Sequence, residues 1–495
     1  MIKIIVNNAI SEFKQIRFYI IVFFAFVYCM LSLVNHYNYH TTTFDLGIYN
    51  NSIYQYGHFR NNHHPLGHLA LTNFLGDHFA LYTIILSPLH YLFGSYTLLY
   101  VQIVAVLFGG MGIYKLIKSW YPSTILPEIA LFHFFSFYGI FTALAFDYHD
   151  NVVATMLAPW FIYYMHINKL KLALFMALLI MIGKENMPLF LFCICLGLMV
   201  IYKNDKKRRV FALLIGLSSL VYALIVIGLV MPMFVKSGQS ASHFQYSVLG
   251  SNVKEIVHSL LYNTKHVLSA LFCNVSGNQI NDGIKMETYI CLLLSGGLCL
   301  LIRVEYGLML LSIFAQKFFN DDAVKWGICC QYSVEFAPIL IIAFYATLSY
   351  LKNIKLKVII SLLFCLLTFF ITINKMFNRK SYWFNDEKEN LFSKRHYQSN
   401  FNKADVDNII ALIPSDAKLS CTDCFGPHLA FRSCIYLYPD VVDADYILVS
   451  QNPTPYLLID ETLEKEIIEY KNSINWKIIA EINGIYLFKK TNNNN

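Results

Sequence analysis

Phe18-Tyr-Ile-Ile-Val-Phe-Phe-Ala-Phe-Val-Tyr-Cys-Met-Leu-Ser-Leu-Val34 carries no charged residue and follows a short basic start with Lys3, Lys14 and Arg17. The run is long for the apolar core of a secretion signal, and no small-residue cleavage site follows it. It reads as a retained transmembrane helix whose N-terminus stays in the cytoplasm. The rest of the chain is built alike. Of 495 residues, 57% are hydrophobic and only 14% charged, with a mean hydropathy of +0.49. Soluble domains carry about a quarter charged residues, so the class is a polytopic membrane protein.

The net charge of +7 does not point to nucleic acid. The basic residues sit in short clusters between apolar runs, as in cytoplasmic loops, and no basic face emerges. The twelve cysteines form no framework. Cys29, Cys193, Cys195, Cys291, Cys299 and Cys365 lie inside apolar segments, where cysteine behaves as a small hydrophobe. Cys421-Thr-Asp-Cys424, with Cys434 nearby, is one C-x-x-C pair without a second, which reads as a disulfide or free thiols before zinc or redox work.

Working outward, His78 to Phe93 is an apolar stretch broken by Ser87-Pro88, interfacial or re-entrant. Tyr96–Ile117, Ile125–Phe146, Val152–Ile167, Leu170–Ile182 and Met187–Tyr202 then alternate across the membrane. Lys203-Asn-Asp-Lys-Lys-Arg-Arg209 is the clearest inside marker. Val210–Phe234, Glu287–Ile302, Val304–Phe319, Pro338–Leu351 and Lys357–Ile373 follow, giving about eleven spans. The expected architecture is an all-α polytopic membrane bundle over 1–374 with a cytoplasmic N-terminus. It has a large first external loop, 35–77, and a second, 238–282. From 375 to 495 the chain turns polar, with strand-like runs at Lys418–Cys421, Ile435–Tyr438, Tyr446–Ser450, Trp476–Ala480 and Ile485–Lys489. Helical patterns fill Lys403–Leu412 and Glu461–Tyr470, so a small extracytoplasmic α/β C-terminal domain is expected.

The first external loop holds the densest chemistry. Thr43-Phe-Asp-Leu-Gly-Ile-Tyr-Asn-Asn-Ser-Ile-Tyr-Gln-Tyr-Gly-His-Phe-Arg60 precedes His63, His64, His68, Asp77 and His78, and eight of the sixteen histidines lie between His36 and His90. Phe44, Ile48, Tyr49, Ile53 and Tyr56 recur at helical steps, predicting a short amphipathic helix on the membrane surface. On the expected topology, Asp45, Asp77-His78, Asp147-Tyr-His149-Asp150, Lys184-Glu185, His243, Tyr246, Tyr332 and Glu335 all fall on the external side. Ionisable groups at span ends are costly unless paired or wet, and on one face they are expected to converge on one cavity. Such a set suits proton transfer, divalent-metal binding or recognition of an anionic headgroup. Each also has an ordinary reading. Asp45 caps a helix, Asp77-His78 starts one, Asp147–Asp150 is a solvated turn, Lys184-Glu185 neutralises itself, and Glu335 is a loop residue. The spacing of His63 and His64 fits no standard zinc site.

Phe44-Asp-Leu-Gly-Ile-Tyr49 resembles the opening signature of the domain-of-unknown-function family 2079, a group of polytopic membrane proteins. Gly76-Asp-His-Phe79 with Ser87-Pro88-Leu89, Phe146-Asp-Tyr-His149, Gly183-Lys-Glu-Asn186, and Pro427-His-Leu429 with Arg432 and Asp445-Tyr446 are similar to it in the same order. That family in turn resembles the GT-C class of membrane glycosyltransferases, which use lipid-phosphate-linked sugars. The resemblance implies an essential acidic residue in the first external loop, here Asp45, as general base or metal ligand. With it go Asp77, His78, Asp147 and His149 as catalytic candidates, and Lys184, Glu185, His243, Tyr246, Tyr332 and Glu335 as substrate-binding ones. Positive charge near the leaving phosphate would come from Lys184, His78, His149 or His243, or from a divalent ion, Mg or Mn. The chain lacks the paired Asp-Asp or Asp-Glu of better-known subfamilies at the Asp45 position.

The expected function is therefore a GT-C-like glycosyltransferase of the plasma or inner membrane. It would move a sugar from a polyprenyl-phosphate carrier to a lipid, glycan or protein acceptor on the outer face. A transporter or flippase of lipid-linked glycans is the alternative, and an envelope scaffold a third. Transporters carry charges near the midplane and broken helices in related halves. Here the charges cluster at span ends and no halves repeat, which favours the enzyme.

Overall fold

Backbone groups withdrawn from water must bond within their own segment, so long apolar runs fold as helices. The computed structural model describes residues 2–62, 66, 72–236, 245–381, 384–452 and 461–491. Among these, four helical stretches are long and apolar enough to cross a membrane: Gln15–Tyr37, Tyr82–Trp120, Lys206–Phe234 and Ile354–Phe377. The pair Leu126–Phe135 and Tyr138–Phe146, bent by 41°, makes a fifth if taken as one span. Its break falls at Ser136-Phe137, where Phe137 turns to an extended backbone.

The remaining apolar runs differ from the expected spans. Leu170–Met181, Met187–Ile201 and Phe336–Tyr350 are apolar helices of shorter length. The runs expected at 152–167, 287–302 and 304–319 are each divided, into Asp150–Thr155 with Ala158–His166, Ile284–Leu294 with Cys299–Ile302, and Val304–Met309 with Leu311–Phe318. Local chemistry accounts for two of the breaks. Pro159 lies in the first turn of its helix, where its missing N–H costs nothing, and Gly296 takes a φ of +98°.

The chain forms two compact units. The first comprises residues 1–29, 101–230 and 242–384, and the second residues 30–100, 231–241 and 385–495. In the first, Phe24, Tyr28, Phe132, Phe135 and Phe141 pack ring against ring with centroids 5.1 to 6.5 Å apart, mostly in the tilted or edge-on arrangements that aromatic quadrupoles favour. The buried Tyr28 hydroxyl donates to the Phe135 carbonyl at 2.7 Å. A Cβ at Gly139 would lie 2.4 Å from the Ser333 carbonyl oxygen. The glycine thus lets the segment before Phe336 approach the helix Tyr138–Phe146.

The second unit holds a five-stranded sheet in the order β2-β1-β3-β5-β4, formed by β1 Leu419–Cys421, β2 Ile435–Leu437, β3 Tyr446–Ser450, β4 Trp476–Ile482 and β5 Ile485–Lys490. β1 runs parallel to β2 and β3, with Leu419 opposite Tyr446. β5 runs antiparallel to β3 and β4, with Ile447 opposite Phe488. The central β3 is buried along its whole length, as expected of a strand covered on both faces. Ile467 of the helix Glu461–Asn472 closes one side over Ile447, Val449 and Phe488.

Candidate functional site

Each unit gathers a polar constellation of its own. In the first unit the helix Tyr138–Phe146 stops at Asp147, which adopts φ 138° and ψ −167°. That region is nearly confined to glycine, and a side chain held there stores strain of order 1–3 kcal/mol, a feature concentrated at functional sites. Gln102 clamps the turn from both sides. Its amide nitrogen donates to the Asp147 carbonyl at 2.8 Å, and its Oε1 accepts the His149 N–H at 2.9 Å. The Phe146 ring stacks on His149 with centroids 5.4 Å apart, and the Tyr148 hydroxyl donates to Asp150 Oδ1 at 2.7 Å. Asp147, His149, Asp150 and Asn151 are all buried.

One residue further, Asn151 Nδ2 donates to Glu335 Oε1 at 2.6 Å. Glu335 is buried at the start of the helix Phe336–Thr347, and the charges of Lys317 and Lys184 act on it. Lys317 is itself buried. Its ammonium donates to the carbonyls of Lys325 at 2.8 Å, Gly327 at 2.5 Å and Tyr332 at 3.1 Å, and to Ser333 Oγ at 3.1 Å. It therefore pins the segment leading to Glu335. Lys184 is buried and Glu185 half-buried in the turn before Met187, where Asn186 donates to Gln316 at 3.0 Å. Asn151, the residue after the Asp147–Asp150 motif, and Lys184 thus both act on Glu335. Tyr332 joins them through its backbone. Tyr246 packs elsewhere, against the cluster of Leu249 and Phe319. His243 lies outside the described residues, as do His63, His64 and His68.

In the second unit the first-loop signature opens with a π-helical turn, Thr43–Gly47, continued by the helix Ile48–Gly57. Thr43, Leu46 and Gly47 are buried while Asp45 is half-buried, and Thr42 Oγ1 donates to Asp45 Oδ2 at 3.4 Å. One turn on, Tyr49 is buried between Phe74 and His78, at ring distances of 5.4 and 6.4 Å. This brings the Phe44–Tyr49 and Gly76–Phe79 motifs together, with Asp77 buried beside His78.

The helix is not simply amphipathic. Its polar face is buried too, against the segment after β1. The Thr43 N–H donates to Asp423 Oδ1 at 2.8 Å and its hydroxyl to the Asp423 carbonyl at 2.6 Å. Asn50 donates to the Pro427 carbonyl at 3.0 Å, Asn51 to Ala430 at 2.8 Å, and Gln55 to Ser433 at 3.0 Å. A Cβ on Gly426 would sit 1.9 Å from Thr43 Oγ1, so only glycine fits. His36 and His428 stack nearly parallel at 3.9 Å. Burial pushes His428 down to about 3. His40, buried beside His396 and Lys388, is held at about 4 because desolvation and neighbouring positive charge disfavour a charged imidazole.

Among the described residues no three His, Cys, Asp or Glu side chains converge to hold a metal ion. Gln102, Asn151 and Lys317 escaped the reading of the sequence. Lys317 alone carried a signal, as an ionisable group inside an apolar run.

No curated protein matches the chain. Residues 35–487 match the family DUF2079, described as a predicted membrane protein, and by that match over most of its length the chain belongs to this family.

Proposed function

We propose that the protein is a GT-C-like glycosyltransferase of the plasma or inner membrane, transferring a sugar from a polyprenyl-phosphate carrier to a lipid, glycan or protein acceptor outside. In this reading the short and divided apolar helices complete about eleven spans. The N-terminus is cytoplasmic and the C-terminal α/β domain extracytoplasmic. The observation that carries the proposal is Asp45, a half-buried carboxylate on a turn whose Thr43, Leu46 and Gly47 are buried.

Asp45 accepts the proton of the acceptor hydroxyl as its oxygen attacks the anomeric carbon. The bond from that carbon to the phosphate oxygen breaks, and polyprenyl phosphate leaves. A positioned base contributes about 10²–10⁴-fold. His78, in the same unit, is the candidate to meet the leaving phosphate. The groups around Glu335 in the first unit, Lys184 among them, are assigned to substrate binding.

The 41° break between Leu126–Phe135 and Tyr138–Phe146 favours a second reading, a transporter of lipid-linked glycans, since broken helices mark such proteins. Reconstituted liposomes separate the two. The enzyme releases polyprenyl phosphate and forms a new glycosidic bond, with Lys184→Met lowering the rate. Carrier crossing the bilayer with its sugar still attached would instead establish transport.

A further inference from the structure

The C-terminal domain carries a cavity of about 320 Å³ on the face where the helix Glu461–Asn472 meets the sheet, walled by Tyr438, Tyr470 and Trp476 and by Glu466, Glu469 and Ser473. That is the size of a small-molecule site. Glu466, Glu469, Tyr470 and Ser473 recur at three- and four-residue steps along the chain, which places them on one side of the helix. The opposite wall comes from Tyr438, just after β2, and from Trp476, the first residue of β4.

The three rings do not make a flat platform. Tyr470 meets Tyr438 at 62° with centroids 6.4 Å apart, and meets Trp476 at 87° with centroids 5.9 Å apart. Rings at these distances pack edge to face on one another and together line the cavity. The polar lining is acidic, and the Tyr438 hydroxyl is already donated to Glu466. Lys471, next along the helix, points to Glu481 at 2.9 Å, leaving no basic residue in the cavity lining among the described residues. An aromatic lining with two carboxylates, and no cation among its described residues, matches a bound organic cation. Aromatic rings attract an ammonium, while two carboxylates attract it and repel phosphate and other anions.

We propose that this cavity is a binding site for an alkylammonium group. Its source is the headgroup of a lipid, on a chain with four helical stretches long and apolar enough to cross a membrane.

The test is ligand-observed NMR titration of the detergent-solubilised full-length protein. The probes are choline, Nα-acetyl-lysine amide, the neutral choline isostere 3,3-dimethylbutan-1-ol, and methyl glucoside. Choline should bind about tenfold or more tightly than the neutral isostere. Preference for the lysine amide would overturn the headgroup as the source. Trp476→Leu should weaken binding. Because Trp476 also packs on the domain core, the Glu466→Gln/Glu469→Gln pair provides a second variant and should weaken the ammonium probe several-fold. Equal binding of the neutral isostere, binding of the glucoside alone, no binding of either ammonium probe, or an unchanged affinity in the glutamine pair would overturn the proposal.

Discussion

Glu335 Oε1 accepts a hydrogen bond from Asn151 Nδ2 at 2.6 Å, joining the segment that follows the Phe146–His149 motif to the residue that opens the helix Phe336–Thr347. Both partners are buried. Removing one strands the other, and a buried polar group without its partner costs about 1–3 kcal/mol. Glu335→Ala should therefore lower the thermal midpoint of the detergent-solubilised protein clearly more than Glu335→Gln, which keeps an oxygen for Asn151. Equal midpoints for the two variants would show that the bond does not hold the segments.

Asp147 lies in a backbone region suited to glycine. Asp147→Gly and Asp147→Asn both remove the carboxylate, but only the first releases the strain. The glycine variant should be the more stable of the two by about 1–2 kcal/mol, measured by thermal or denaturant unfolding. An asparagine variant at least as stable would mean that the turn is unstrained.

Thr43 and Gly426 touch so closely that any Cβ on residue 426 collides with Thr43 Oγ1. Gly426→Ala should destabilise the second unit, seen as faster proteolysis of the C-terminal domain. Thr43→Ala in the same chain removes the colliding oxygen and should restore part of the loss, so the double variant outlasts Gly426→Ala. Additive damage would contradict the contact.

His40 and His428 are held at about 4 and about 3 in the folded chain, against 6.5 when exposed. Below pH 6.5 the unfolded chain takes up protons that the folded chain refuses, so stability rises with pH across this window. The contribution is fully present above 6.5. It is lost on acidification toward 4, at about 1.4 kcal/mol per pH unit for each histidine. Unfolding midpoints should fall between pH 7 and pH 5, and His40→Gln should flatten the slope. A slope unchanged by that substitution would remove His40 from the account.

Much of the C-terminal sheet was legible in the sequence. β-branched and aromatic residues fill four of the five expected runs, the exception being Lys418-Leu-Ser-Cys421, and strands formed at all five. The first-loop helix was legible from Phe44, Ile48, Tyr49 and Ile53, but the task of its polar face was not. Asn50, Asn51 and Gln55 bond carbonyls more than 370 residues away, and no local pattern reports a partner at that distance. The spans were the least legible. A period-free apolar run reads as one helix, whereas a proline at Pro159 or a left-handed glycine at Gly296 divides it. Gln102 and Asn151 were hidden for a related reason. Gln102 is a single amide in an apolar run and Asn151 the last residue of a polar turn; neither has a periodic signature, and their roles appear only once the Asp147 turn and Glu335 lie beside them.

In the proposed function Asp45 is the base of a sugar transfer. Membranes holding wild type or Asp45→Asn at equal levels would receive a panel of radiolabelled polyprenyl-phosphate sugars, with label followed into the acceptor. The change is nearly isosteric and removes only the charge. Wild type should transfer sugar from at least one donor, and the variant should be slower by about 100-fold or more. Equal transfer by both would contradict this role.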